Sequence, residues 1–217
     1  MRSVKKFFDD YAAPFSKISG SISGYYNKEE FSSLITRFLR NSMSKRYFYT
    51  IDNIARSESS SLLDIGCGPG DYSLALRERG ICNTLAIDFS KKMVELARST
   101  EIKRFGDSLI TWTVGDYLDI NIEKKYDASI VVGVMDYIEN PENFVKKVIG
   151  DTDKISIISF PKKFHILSIQ RKIRYKNKCY LRFYSRKQLQ KLFSRFNENY
   201  EIQIHNFGRD YIVRIQK

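Results

Sequence analysis

The stretch "LLDIGCGPGDYSLAL", residues 62–76, sets three glycines and a proline between an apolar run and a helix-like segment. A chain that bends this sharply from strand to helix brings its backbone close to whatever lies over the turn, and glycine reaches the necessary left-handed conformations at no steric cost. The feature points to a parallel α/β fold with a ligand at the carboxyl end of its first strand. The glycines Gly66, Gly68 and Gly70 read G-x-G-x-G, one residue shorter than the dinucleotide fingerprint G-x-G-x-x-G. Asp71 follows at once and would set a like charge where a pyrophosphate takes up the helix N-terminus.

The rest of the chain fits that beginning. Short apolar runs predict strands at Leu62–Ile65, Thr84–Asp88, Ile110–Val114, Ala128–Val132 and Lys154–Phe160. "ASIVVGV" and "ISIISF" are almost continuously apolar, as strands buried on both faces should be. Helices are expected from Asp71, from Ser90 over "SKKMVELARST", and from Pro141 and Glu142 to Gly150. After "RFYSRKQLQKLFSRF", the runs "YEIQIHNF" and "YIVRIQK" around "GRD" predict an antiparallel hairpin. Ahead of the first strand, Val4, Phe7, Phe8, Tyr11, Ala12 and Phe15 recur at helical spacing, predicting an amphipathic helix to about Pro14. "SKISGSISG" then reads as a flexible link, and a second helical stretch runs from Lys28 to Ser57.

At 217 residues and 42% apolar content the chain can bury one substantial core, so one domain with an appendage is expected, divided at 1–57 and 58–217. "MRSVKKFFDD" has no apolar stretch of leader length, and no run is long enough to cross a bilayer. Cys67, Cys82 and Cys179 are odd in number and widely spaced, which suits free thiols. These features predict a soluble, cytoplasmic protein without a membrane partner. Two histidines and no C-x-x-C pair argue against a structural zinc site.

Two more acids fall into register with the turn. Asp88 closes the second strand, where a carboxylate can accept ribose hydroxyls, and Asp116 in "TVGDYLD" follows the third, where it can accept from an adenine amino group. A ligand with an adenosine, no phosphate, and a sulfonium and ammonium for neighbouring carboxylates fits best, which describes S-adenosylmethionine. On "LLDIGCGPG", "AIDFSKKMVELA", "VGD" and "YDASIVVGVMDYIENP" the sequence resembles the class I S-adenosylmethionine-dependent methyltransferases, strongly over roughly residues 60 to 160. The resemblance implies a Rossmann-like three-layer sandwich, with a seven-stranded, mostly parallel sheet whose last strand is antiparallel, and an N-terminal helical lid. It also implies that Asp64, Gly66, Gly68 and Gly70 surround the methionine part and that Asp88 lies by the ribose, with Phe89 and Met93 also expected to bind the cofactor. Asp116 and Tyr117 would meet the adenine, Gly133 would lie under the cofactor, and Tyr11 would cover it from the lid.

The loop after the fourth strand, "GVMDYIENP", lies beside the transferred methyl in such enzymes. It lacks the Asn/Asp-Pro-Pro-aromatic motif of nucleobase amine methylation and the cysteine of cytosine C5 enzymes. Asp136 and Tyr137 are candidates to orient or deprotonate an acceptor, and His165 beyond the fifth strand is a further candidate base. His205 falls within an outer strand and receives no catalytic role. From Pro161 to Arg195 there are twelve Lys and Arg and no Asp or Glu, so this segment holds the whole formal excess of +12. Aromatic residues are interleaved with the cations, a mixture that binds phosphates, carboxylates or stacked rings. The leading expectation is methyl transfer to an oxygen or nitrogen of a small anionic metabolite, free or tethered to an acidic carrier. An RNA acceptor and a non-catalytic cofactor-binding role stay open as alternatives.

Overall fold

The computed structural model describes residues 34–163, 180–196 and 198–217, with side chains from Met43 onward. The N-terminal helix with Tyr11, the serine-glycine link, His165 and the cations from Arg171 to Lys178 lie outside the described residues.

Helix α1 spans Leu34–Arg56 and leads into strand β1, Ser61–Ile65. Then alternate α2 (Asp71–Glu78), β2 (Asn83–Asp88), α3 (Lys91–Phe105), β3 (Thr111–Val114), a 3-10 turn (Tyr117–Asp119), β4 (Tyr126–Val131), α4 (Pro141–Gly150) and β5 (Thr152–Pro161). Helix α5, Arg186–Phe193, precedes the hairpin of β6 (Glu201–Phe207) and β7 (Asp210–Gln216). The seven strands order as β3-β2-β1-β4-β5-β7-β6. β1 to β5 pair in parallel, whereas β7 runs antiparallel to both β5 and β6.

Helices α3, α4 and α5 begin where a side chain satisfies an exposed N–H group. The Ser90 side chain accepts from Met93 N–H, the Asn140 side chain from Asn143 N–H ahead of Pro141, and Ser185 with Gln188 forms a capping box. Alternation along the strands then separates two apolar layers. Leu62, Ala128, Ile130, Ile155, Ile157 and Ile212 pack under α1 and α2, against Ile51, Ile54 and Leu76. Leu63, Ile65, Val131, Ile158 and Phe160 pack under α4 and α5, against Phe144, Val148, Leu189 and Phe193. The part of the expected 1–57 cap segment that is described is thus built into the core through Ile51 and Ile54. Among the described residues, no helix is long and apolar enough to cross a membrane.

This strand order has one functional consequence. From β1 the chain winds outward to β2 and β3, then returns to the other side of β1 as β4, leaving a crevice at the carboxyl ends of β1 and β4 where α/β folds place their ligands.

Candidate functional site

The glycine turn stands at that crevice. Gly66 and Cys67 N–H both donate to the Ile87 carbonyl (2.8 and 3.0 Å) and Gly70 N–H to the Cys67 carbonyl (3.0 Å), which ties the turn to β2. Gly66, Gly68 and Gly70 all have positive φ (71°, 54° and 85°), but they serve different ends. A Cβ on Gly66 would overlap the Val134 side chain, and one on Gly70 would lie 2.5 Å from the Trp112 ring, so these two admit protein. Among the described residues, a Cβ on Gly68 would meet nothing within 4 Å, nor would one on Gly133, whose φ is 79° and whose N–H donates to Ser159 Oγ (2.9 Å). Open space therefore stands above Gly68 and Gly133, on either side of the crevice.

Four carboxylates stand in or just beyond the carboxyl ends of β1, β2 and β3. Asp64, 2% exposed at the end of β1, accepts from Ser73 Oγ on α2 at 2.6 Å. Burial raises its carboxyl to about 7, Ser73 opposing and Asp88 adding to the shift. Asp71, the first residue of α2, is also raised to about 7, by burial and then by Asp64, with Arg104 opposing. Two acids held so close to neutrality constitute a site that a cation would stabilise. Asp88 accepts from Gly68 N–H at Oδ2 (2.9 Å) and from Ser90 N–H at Oδ1 (2.8 Å), fixing the turn itself. Asp116 caps the 3-10 turn through Leu118 N–H (3.1 Å). Phe89 is half-buried beside Asp88, and Met93 is buried one turn into α3.

Tyr117, the first residue of that turn, is buried. Its ring is 4% exposed and packs edge-on against Phe144, and its hydroxyl donates to Asp151 at 2.6 Å. Burial and Asp151 hold that hydroxyl well above the ordinary tyrosine range. The side chain is directed into the core, where the ring packs against Phe144.

On the β4 side, Asp136 is 2% exposed and Tyr137 half-buried. The segment 180–185 clamps this loop. Arg182 N–H donates to the Asp136 carbonyl (2.7 Å), Arg182 Nη1 to the Glu139 carbonyl (2.9 Å), and the Tyr184 hydroxyl to the Met135 carbonyl (3.1 Å). Next to the end of β5, Asp210 Oδ2 accepts from Arg46 Nη1 at 2.8 Å and lies 3.3 Å from Arg209 Nε. Lys162 N–H donates to the Arg209 carbonyl, and burial lowers the Lys162 ammonium below its ordinary value against the pull of Asp210. Three cations thus gather about one carboxylate, an excess of positive charge at the carboxyl end of β5. Arg46 was not singled out from sequence, since 164 residues separate it from Asp210 and no local pattern links them. His205 stacks on Tyr49 (5.1 Å between centroids), and burial, with Arg214 and Arg186, lowers its imidazole below the ordinary range, in keeping with a packing role.

Residues 62–150 match the family described as "Methyltransferase domain". Over 113 residues the chain is 30% identical to a ubiquinone biosynthesis O-methyltransferase of Rickettsia felis, covering 50% of this chain and 45% of the relative. Over 89 residues it is 36% identical to an EEF1A lysine methyltransferase 2 of Danio rerio, covering 40% and 38%. The chain therefore spans less than half the length of these curated relatives. The fold is similar throughout to the magnesium protoporphyrin IX methyltransferase of Synechocystis PCC 6803, solved with bound SAH. The TM-score is 0.68, with 16% identity and coverage of 99% of this chain and 98% of the other.

Proposed function

We propose that this chain, which carries a class I S-adenosylmethionine-dependent methyltransferase domain at residues 62–150, methylates an oxygen or nitrogen of a small anionic metabolite. The observation that carries the proposal is the open space above Gly68 and Gly133 at the crevice, bordered by Asp64, Asp71, Asp88 and Asp116. Those residues fit the cofactor's parts. Asp64 and Asp71, raised toward neutrality by burial, would face its cationic end, Asp88 its ribose and Asp116 its adenine. When bound, S-adenosylmethionine supplies a methyl group on a positively charged sulfur.

The protein's own work is positioning and exclusion of water, with a base only where the acceptor is protonated. Asp136 is the candidate to hold the acceptor's proton at a carboxylate oxygen, with Tyr137 orienting the acceptor, and His165 is a second candidate base from the segment outside the described residues. Residues 161–195 would form the acceptor wall and residues 1–57 the cap, Tyr11 included. The surplus charge of Arg46, Arg209 and Lys162 around Asp210 favours an acceptor bearing a carboxylate or phosphate, free or on a carrier.

A protein lysine is the second reading, favoured by the identity to the EEF1A lysine methyltransferase. A cationic acceptor would meet repulsion at that same cluster, which ranks it lower. An RNA acceptor ranks lower again, for want of a nucleobase motif, and a non-catalytic role is last. Calorimetry with S-adenosylmethionine, S-adenosylhomocysteine and NAD tests the cofactor assignment. Saturable binding of the first two and none of NAD is expected, and NAD binding of equal strength would refute it. Turnover of the cofactor with a panel of carboxylates, phosphates and lysine peptides then separates the acceptor classes.

A further inference from the structure

Behind the glycine turn lies a buried polar cluster that no part of the proposed chemistry uses. Glu101, on α3, is fully buried and receives five donors. At Oε1 they are Arg77 Nη1 (2.5 Å), Leu109 N–H (3.1 Å) and Ile110 N–H (3.0 Å). At Oε2 they are Ser108 Oγ (2.7 Å) and Trp112 Nε1 (2.7 Å). A carboxylate offers about four lone-pair sites, so this one is saturated and every partner's position depends on it.

Two of the partners lead directly to the turn. Trp112, 5% exposed on β3, presents the edge of its ring to Gly70, with Cη2 2.5 Å and Cζ3 3.0 Å from where a Cβ would stand, and Ala97 closes the same space at 3.1 Å. Gly70 thus rests on the indole, and the indole's rotation is set by its Nε1–H to Glu101. Arg77 lies in the last turn of α2, the helix that starts at Asp71, and its guanidinium also pairs with Asp107 and stacks 4.2 Å from the Phe105 ring centre. One carboxylate therefore holds the support beneath the turn and the far end of the helix that leaves it.

We infer that Glu101 is a positioning residue for cofactor binding, acting through Trp112 to set the height and tilt of the Gly68–Gly70 backbone. This rests on the cofactor assignment proposed above. Glu101→Gln keeps size but places an amide NH2 among five donors, so at least one N–H faces another N–H and the indole must turn. The Gly70 support then shifts, and the glycine backbone with it.

Trp112 is the chain's one tryptophan, so its emission reports on this contact alone. The experiment compares wild type, Glu101→Gln, Trp112→Phe and Ser108→Ala by S-adenosylhomocysteine calorimetry, urea unfolding and, where Trp112 remains, emission and acrylamide quenching. Ser108→Ala removes another donor to the oxygen that Trp112 uses while leaving the indole N–H bond in place, and controls for stability loss alone. Expected are a tenfold or greater loss of affinity in Glu101→Gln and Trp112→Phe, at temperatures where both are folded, and a shifted, more quenchable Trp112 in Glu101→Gln. Ser108→Ala should bind within twofold of wild type. Binding within twofold by folded Glu101→Gln or Trp112→Phe overturns the inference, as does an equal loss in Ser108→Ala. If Glu101→Gln does not fold, Trp112→Phe, which leaves Glu101 with its charged partner, decides alone. Wild type that fails to bind S-adenosylhomocysteine would overturn the cofactor assignment and the positioning role with it, whereas the other outcomes bear on the positioning role only.

Discussion

Gly66 and Gly68 stand two residues apart in one turn, yet the same substitution should fail in them for different reasons. Gly68→Ala meets no neighbour among the described residues, so its cost to folding is the positive φ, about 1–2 kcal/mol, while its methyl group enters the space proposed for the cofactor. Gly66→Ala adds an overlap with Val134 and should destabilise more than Gly68→Ala. Urea unfolding and calorimetry on the pair separate stability from binding, and equal stability losses would mean that Val134 yields freely.

Asp64 and Asp71 give a second prediction. Their folded carboxyls titrate near 7, above the unfolded value of 3.8, so the native state binds more protons between those pH values. Their contribution to stability is full below about 4 and is lost as pH rises through 7. A cationic ligand reverses the bias and expels protons. S-adenosylmethionine binding near pH 6.5 should therefore release up to about one proton, detected as a dependence of the calorimetric heat on the buffer's ionisation enthalpy, and release should vanish well above the folded values. Uptake of protons would place the cation elsewhere.

Among the elements, β5 and the loop after β4 are coupled through Tyr184. Its ring packs on Phe160 at 4.9 Å while its hydroxyl satisfies the Met135 carbonyl. Tyr184→Phe should keep the packing, leave a buried carbonyl unpaired and cost about 1–3 kcal/mol. Because that carbonyl directly precedes Asp136, turnover should fall more than cofactor affinity, as steady-state kinetics beside calorimetry would show. Elements of this kind were legible in the sequence wherever the signal was local. The strand ends fell within about two residues of those observed, since continuous apolar runs mark buried strands, and Ser90 and Pro141 marked helix starts through capping chemistry. What escaped was contact across long separations. Glu101 sits among charged neighbours on "STEIKRF" and resembles any solvated helix residue until β3 folds against it. Tyr117 stood next to an acid at a strand end, and only the packing of α4 reveals that it points inward. That β7 rather than β6 borders β5 likewise cannot be read from two alternating runs.

For the molecule as a whole, the charge excess is concentrated where the acceptor is proposed to enter; Lys162, Lys163, Arg182, Arg186, Lys187, Lys191 and Arg195 are its described members, and Arg209 lies beside Lys162. Reversing Lys163 and Arg209 to Glu should raise an anionic acceptor's KM steeply and leave S-adenosylhomocysteine affinity nearly unchanged, since binding shared by ground and transition states appears in KM. Added salt should weaken a small anion shallowly, whereas RNA would show a log–log slope near the number of phosphates contacted. Unchanged KM in the reversed protein would make the basic stretch a solvated face. The sheet order also bears on how the molecule comes into being. β6 touches the sheet only through β7, so during vectorial synthesis the apolar edge of β5 stays open until residue 216, roughly 55 residues later, has left the ribosome. At ordinary elongation rates that is about 3–11 s during which a nascent chain shows an unpaired edge to its surroundings. The hairpin that completes the fold is therefore also the step at which a chaperone has most to protect.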